Sequence, residues 1–140
     1  MRILAQLQTL DEALSAWQRY RQIPFETFAG NKDTQYMVRH AMLLAIQSSI
    51  DIATGIAVMK TPRRPDTYRE TFQVLGKFQI IPEDLATELS KLAGFRNILV
   101  HEYTGLDTKH VYRILKDNWQ ALETFRKLIK KFIKENKIDK

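Results

Sequence analysis

Arg96, Asn97, His101 and Tyr103 fall within eight consecutive residues and carry most of the chemistry legible in this chain. A guanidinium can hold a phosphate through two parallel hydrogen bonds and stabilise charge on its oxygens. An imidazole is the side chain that changes charge nearest neutral pH, so His101 is suited to taking a proton from a hydroxyl or returning one to a leaving oxygen. Asn97 offers an amide that can orient the imidazole or donate to a second phosphate oxygen. No grouping of His, Asp and Glu has an obvious metal-ligand spacing, and no cofactor is expected.

These residues sit on a helix that opens at Pro82, with Glu83 and Asp84 favourably placed at its positive end. Its apolar stripe reads Leu85, Leu89, Leu92, Arg96, Leu99 and Tyr103, at spacings of 4, 3, 4, 3 and 4. Arg96 intrudes in that stripe. An unpaired buried guanidinium is costly, so it must reach a partner, such as an acid on another helix, or face a cleft. Arg96 and His101 are five residues apart, about 500° round the axis and so roughly 140° out of register. They converge only if the helix ends or distorts near His101, or if a second copy of the chain brings its own motif alongside.

The supporting elements are helical throughout. Ile3, Leu7, Leu10, Leu14 and Trp17 mark a first helix from about residue 2 to 22, stopped by Pro24. A connector with one helical turn around residues 26–28 leads to Asp33, the expected cap of a helix over 34–59 that is apolar on nearly every side and belongs in the middle of a bundle. Residues 60–67, with Pro62 and Pro65, form a loop before a short helix over 68–77. Asp107 caps a last helix running through Val111, Leu115, Trp119, Leu122, Phe125, Ile129 and Ile133, about 40 Å long and expected to outlast the bundle. The fold class is therefore all-α, a bundle of four to five helices with a long C-terminal helix.

The 140 residues make one domain, 1–140, large enough for a real core. The absence of cysteine removes disulfides, thiolate metal sites and a cysteine nucleophile. No run of ~20 consecutive apolar residues predicts a membrane span, and the N-terminus turns polar too early for a secretory signal, so a cytoplasmic protein is expected. Of the net charge of +6, Arg126 to Lys140 hold a local +5, a basic tail from about 130 that is free to touch a polyanion.

The segment Arg96-Asn97-Ile98-Leu99-Val100-His101-Glu102-Tyr103 resembles the Arg, four residues, His, one residue, Tyr signature of the HepT-like branch of the HEPN superfamily. The resemblance extends to Tyr36–Ile56 with Arg39 and Asp51, to the Pro, Tyr, Phe pattern of residues 64–72, and to Val111-Tyr112. It implies a helical bundle that dimerises so that two motifs face one cleft. It further implies a metal-independent endoribonuclease toxin of a type VII toxin–antitoxin system, acting on mRNA or tRNA. Arg96 and His101 are then catalytic and Asn97 supporting. Tyr103 becomes the residue to which a cognate MNT-type nucleotidyltransferase antitoxin attaches AMP.

An alternative within the same resemblance is a non-catalytic HEPN dimer that docks a nucleotidyltransferase or binds nucleotide or RNA. A third reading, nucleic-acid binding by the basic tail alone, lacks aromatic interleaving beyond Phe125 and Phe132. His40 reads as a core or interface histidine, His110 as a surface residue, and Asp51 as a carboxylate in need of an Arg or hydroxyl partner.

Overall fold

The structure, a computed structural model, describes residues 2–101 and 106–136. Among them are seven helices: α1 (Arg2–Tyr20), α2 (Phe25–Ala29), α3 (Lys32–Lys60), α4 (Tyr68–Lys77), α5 (Glu83–His101), α6 (Thr108–Asp117) and α7 (Trp119–Glu135). With the single-turn α2 set aside and α6–α7 taken as one interrupted helix, these are the five that the periodicity predicts. The whole apolar stripe of α1 is buried.

Local chemistry sets the boundaries. Asn31, rather than Asp33, caps α3: its side-chain oxygen accepts the Thr34 N–H at 3.0 Å, leaving Asp33 in the first turn. The Thr67 hydroxyl accepts the Glu70 N–H and the Glu70 carboxylate accepts the Asp66 N–H, both at 3.0 Å, a reciprocal closure that starts α4. Asp107 caps α6 through the Lys109 and His110 N–H groups.

α3 lies at the centre, packed against α1, α4, α5 and α7. By length and composition it is apolar enough to cross a membrane, and 56% of that apolar window is buried inside the bundle. It is not covered all round. Tyr36, Met37, His40, Leu44 and Val58 stay exposed along one face, so His40 is not a core histidine.

The last helix is interrupted at Asn118 (φ −107°, ψ 5°), whose side-chain amide donates to Glu88 on α5 at 3.3 Å. The break turns α7 onto α1, where the Trp119 indole donates to the Leu14 carbonyl at 2.9 Å. Trp17, wholly buried, donates in return to the Leu115 carbonyl at 2.8 Å. Trp17→Phe deletes that hydrogen bond and part of the packing, and should cost roughly 2–3 kcal/mol. Thermal denaturation should register a fall in Tm of about 6–12 °C.

α7 does not outlast the bundle over its described length. Ile133 is buried, the Lys60 ammonium lies 5.7 Å from the Phe132 ring centroid, and Lys130 pairs with Asp11 at 3.2 Å. Arg126 binds both oxygens of Glu123 (2.9 and 2.8 Å) and reaches Asp11 on α1 at 3.1 Å. The hydrogen bond from Arg126 holds the Glu123 carboxyl below its ordinary range, against the opposing effect of burial. A lowered folded-state value means that this anchor contributes stability above the unfolded carboxylate pKa and loses it as the pH falls through the folded one.

Candidate active site

The buried face of α5, with Leu85, Leu89, Leu92 and Leu99, fixes the rotation of the helix and directs Arg96 toward α3 and α4. Its guanidinium is half-buried and, of the alternatives left open by the sequence, reaches a partner on another helix, a neutral one. Nε donates to Gln47 Oε1 at 2.6 Å, Nη1 donates to Asn97 Oδ1 at 3.1 Å, and Cζ lies 5.7 Å from the centroid of the Tyr68 ring. Gln47 in turn donates through Nε2 to Asp51 Oδ1 at 2.9 Å. Asp51 thus touches Gln47 and acts on Arg96 only through that amide, one turn further along α3.

This arrangement orients a cation without neutralising it. Gln47 offers oxygen to Nε because its NH₂ is committed to Asp51, and the Tyr68 ring supports the guanidinium through its π face. Among the described residues no hydrogen bond occupies Nη2, and the amide nitrogen of Asn97 remains a donor beside it. Among the described residues no carboxylate pairs with it, and a half-buried, positioned guanidinium next to an amide donor is suited to a phosphate.

The structure brings Arg96 and Asn97 together and leaves His101 apart. α5 stays helical through His101, so the register difference of about 140° persists, and the imidazole is exposed at the helix end, one turn beyond Asn97. Tyr103 lies outside the described residues. Among the described residues, no three His, Cys, Asp or Glu side chains gather within reach of one cation.

Gln47 and Tyr68 are the site residues that sequence reasoning did not single out for this role. The available signal was the Gln47/Asp51 pair, one turn apart in an otherwise apolar helix and in line with Met37, His40 and Leu44 on its open face. His110, read from sequence as a surface residue, is half-buried with its ring 5.4 Å from that of Phe95.

Residues 10–129 match a family model described as ribonuclease HepT-like. The chain is 25% identical over 131 residues to a tRNA nuclease HepT of Aphanizomenon flos-aquae, covering 94% of this chain and 89% of that protein. It is 31% identical over 84 residues to an mRNA nuclease HepT of Shewanella oneidensis, covering 60% of this chain and 63% of that protein. The solved structure of the tri-AMPylated HEPN toxin of Shewanella oneidensis in complex with MNT antitoxin superposes with a TM-score of 0.81 at 25% identity, covering 91% of this chain and 96% of that one.

Proposed function

Because this chain belongs to the HepT-like ribonuclease family, we propose that it is a cytoplasmic endoribonuclease toxin of a type VII toxin–antitoxin pair, a single domain over residues 1–140. It cuts RNA without a metal, in a cleft where Arg96 and His101 of two copies meet. The observation that carries this reading is the Arg96 guanidinium, held by the neutral Gln47 amide and the Tyr68 ring, with its charge left for an anion.

In this mechanism Arg96 and the Asn97 amide hold the scissile phosphate. His101 of one copy takes the proton of the ribose 2′-OH as its oxygen bonds to phosphorus. His101 of the second copy gives a proton to the departing 5′-oxygen as the P–O bond breaks. The products are a 2′,3′-cyclic phosphate and a 5′-hydroxyl. Relatives named for tRNA and for mRNA keep both as candidate substrates. The partner is an MNT-type nucleotidyltransferase antitoxin that attaches AMP at Tyr103. An AMPylated toxin held by an MNT antitoxin among the solved relatives supports this assignment.

The second copy docks on the open face of α3, where exposed Met37 and Leu44 lead directly to Gln47. This supplies the apolar surface that a composite cleft needs, and the regular helix through His101 supports the need for it. Light scattering at micromolar concentration should give a mass near twice 16.4 kDa, and Leu44→Glu should shift it toward one chain. A wild-type monomer overturns the composite site.

A further inference from the structure

The seam between α4 and α5 opens to solvent as a groove running from the far end of the bundle to Arg69 and Lys91, on the side of α5 turned away from Arg96. Two cavities along it, of about 920 and 280 Å³, adjoin, sharing Gln73, Gly76 and Glu83 in their walls. Its floor is close helix contact: a Cβ on Gly76 would meet the Cβ of Ala86 at 3.2 Å. α4 lines one wall with Arg69, Gln73 and Lys77, spaced four apart and all exposed, and α5 answers with Thr87, Ser90 and Lys91. Arg69 is adjacent to Tyr68, whose ring lies against Arg96. From Tyr68 to Lys77 the wall is about 14 Å long.

The far end has the composition of a polynucleotide surface. Lys60, Lys77 and Lys131 surround two rings: Phe78, 42% exposed, and Phe132, which already carries the Lys60 ammonium on its face. Gln79, which also lines the groove, closes the α4–α5 turn at φ 60°, a left-handed position that favours glycine. Across both cavities five cations (Lys60, Arg69, Lys77, Lys91 and Lys131) face two carboxylates (Glu83 and Glu135), and Glu135 lies 4.0 Å from Lys131. Cations tracking a groove that ends at an exposed ring, Phe78, are features that bind single-stranded nucleic acid, phosphates on Lys and Arg and a base on the aromatic face.

We infer that the α4–α5 groove is a track for single-stranded RNA, holding a part of the strand remote from the bond cut at Arg96. This rests on the ribonuclease reading for the strand's being a substrate and on the groove's own chemistry for its ligand class. A track of this kind adds affinity without base-specific readout, leaving the choice of bond to the cleft.

The test compares the full chain with the triple variant Arg69→Gln, Lys77→Gln, Lys131→Gln. Binding of a fluorescent, unstructured oligoribonucleotide is followed by anisotropy across a salt series, in a His101→Ala background that prevents cutting. Loss of three phosphate contacts should weaken binding about tenfold and flatten the log–log salt slope by about 2. Phe78→Ala should weaken binding with the slope unchanged. In the His101 background of the natural sequence, the triple variant should still cut a substrate short enough to occupy only the cleft. A wild-type dissociation constant and slope in the triple variant overturn the track. So does retained RNA binding with lost capture of the nucleotidyltransferase, which assigns the groove to a protein. A chain that cuts no RNA while the groove variants weaken RNA binding overturns the ribonuclease reading and leaves the track standing.

Discussion

His101→Ala should lower kcat for RNA cleavage by roughly 10²–10⁴-fold, the usual contribution of a positioned general acid–base, and Arg96→Ala should cost about 10²–10³-fold. The two losses have different origins. His101 is exposed at the end of α5, so its removal takes away proton transfer and leaves packing intact. Arg96 contributes charge where it develops on the phosphate, and its removal also strands the Gln47 carbonyl oxygen. Gln47→Leu separates positioning from charge. The guanidinium remains, but nothing holds Nε, so a smaller fall is expected, in kcat more than in KM. In cells, the wild type expressed alone should arrest growth, and either alanine variant should relieve the arrest at equal protein level. Unchanged helicity by circular dichroism is the companion observation that assigns the loss to chemistry.

Tyr103→Phe should uncouple the toxin from its antitoxin. Tyr103 stands two residues beyond His101 and seven beyond Arg96, close to two helical turns, which predicts a position at the mouth of the same cleft. One AMP adds a phosphodiester charge that competes with the substrate phosphate for Arg96. Co-expression with the cognate nucleotidyltransferase should therefore add one or more AMP units at Tyr103 and restore growth. The Phe variant should remain a folded ribonuclease that still arrests growth. Intact-mass and peptide mass spectrometry read the outcome. The described tyrosines differ in availability: the Tyr112 hydroxyl donates to the Ile23 carbonyl at 2.6 Å, whereas Tyr36 is 60% exposed. AMP mapped to Tyr20, Tyr36, Tyr68 or Tyr112, or full neutralisation of the Phe variant, contradicts the assignment.

Much of the fold was legible because helices announce themselves locally. The stripe of α1, the limits of α4 and the Asp107 cap of α6 each follow from residues within one or two turns. Apart from the α3 cap, which moves two residues to Asn31, the departures arise where distant contacts decide. Asn118 interrupts the last helix because Glu88 and the Leu14 carbonyl give its neighbourhood partners some 30 and 105 residues away, which no periodicity encodes. α3 reads as apolar all round, yet its Tyr36 to Leu44 face is left open because no other described element covers it. The same limit applies at the site. Arg96 was visible as an intruder in an apolar stripe, while its partner lay 49 residues away on another helix, and a glutamine carries no sign of where its oxygen points.

End-group analysis of a defined RNA decides whether Arg96 and His101 cut RNA without a metal. Purified wild-type protein in excess EDTA should cut, leaving 2′,3′-cyclic phosphate and 5′-hydroxyl ends, and His101→Ala and Arg96→Ala treated identically should leave the RNA intact. Cleavage abolished by EDTA but undiminished in the two variants would contradict the account.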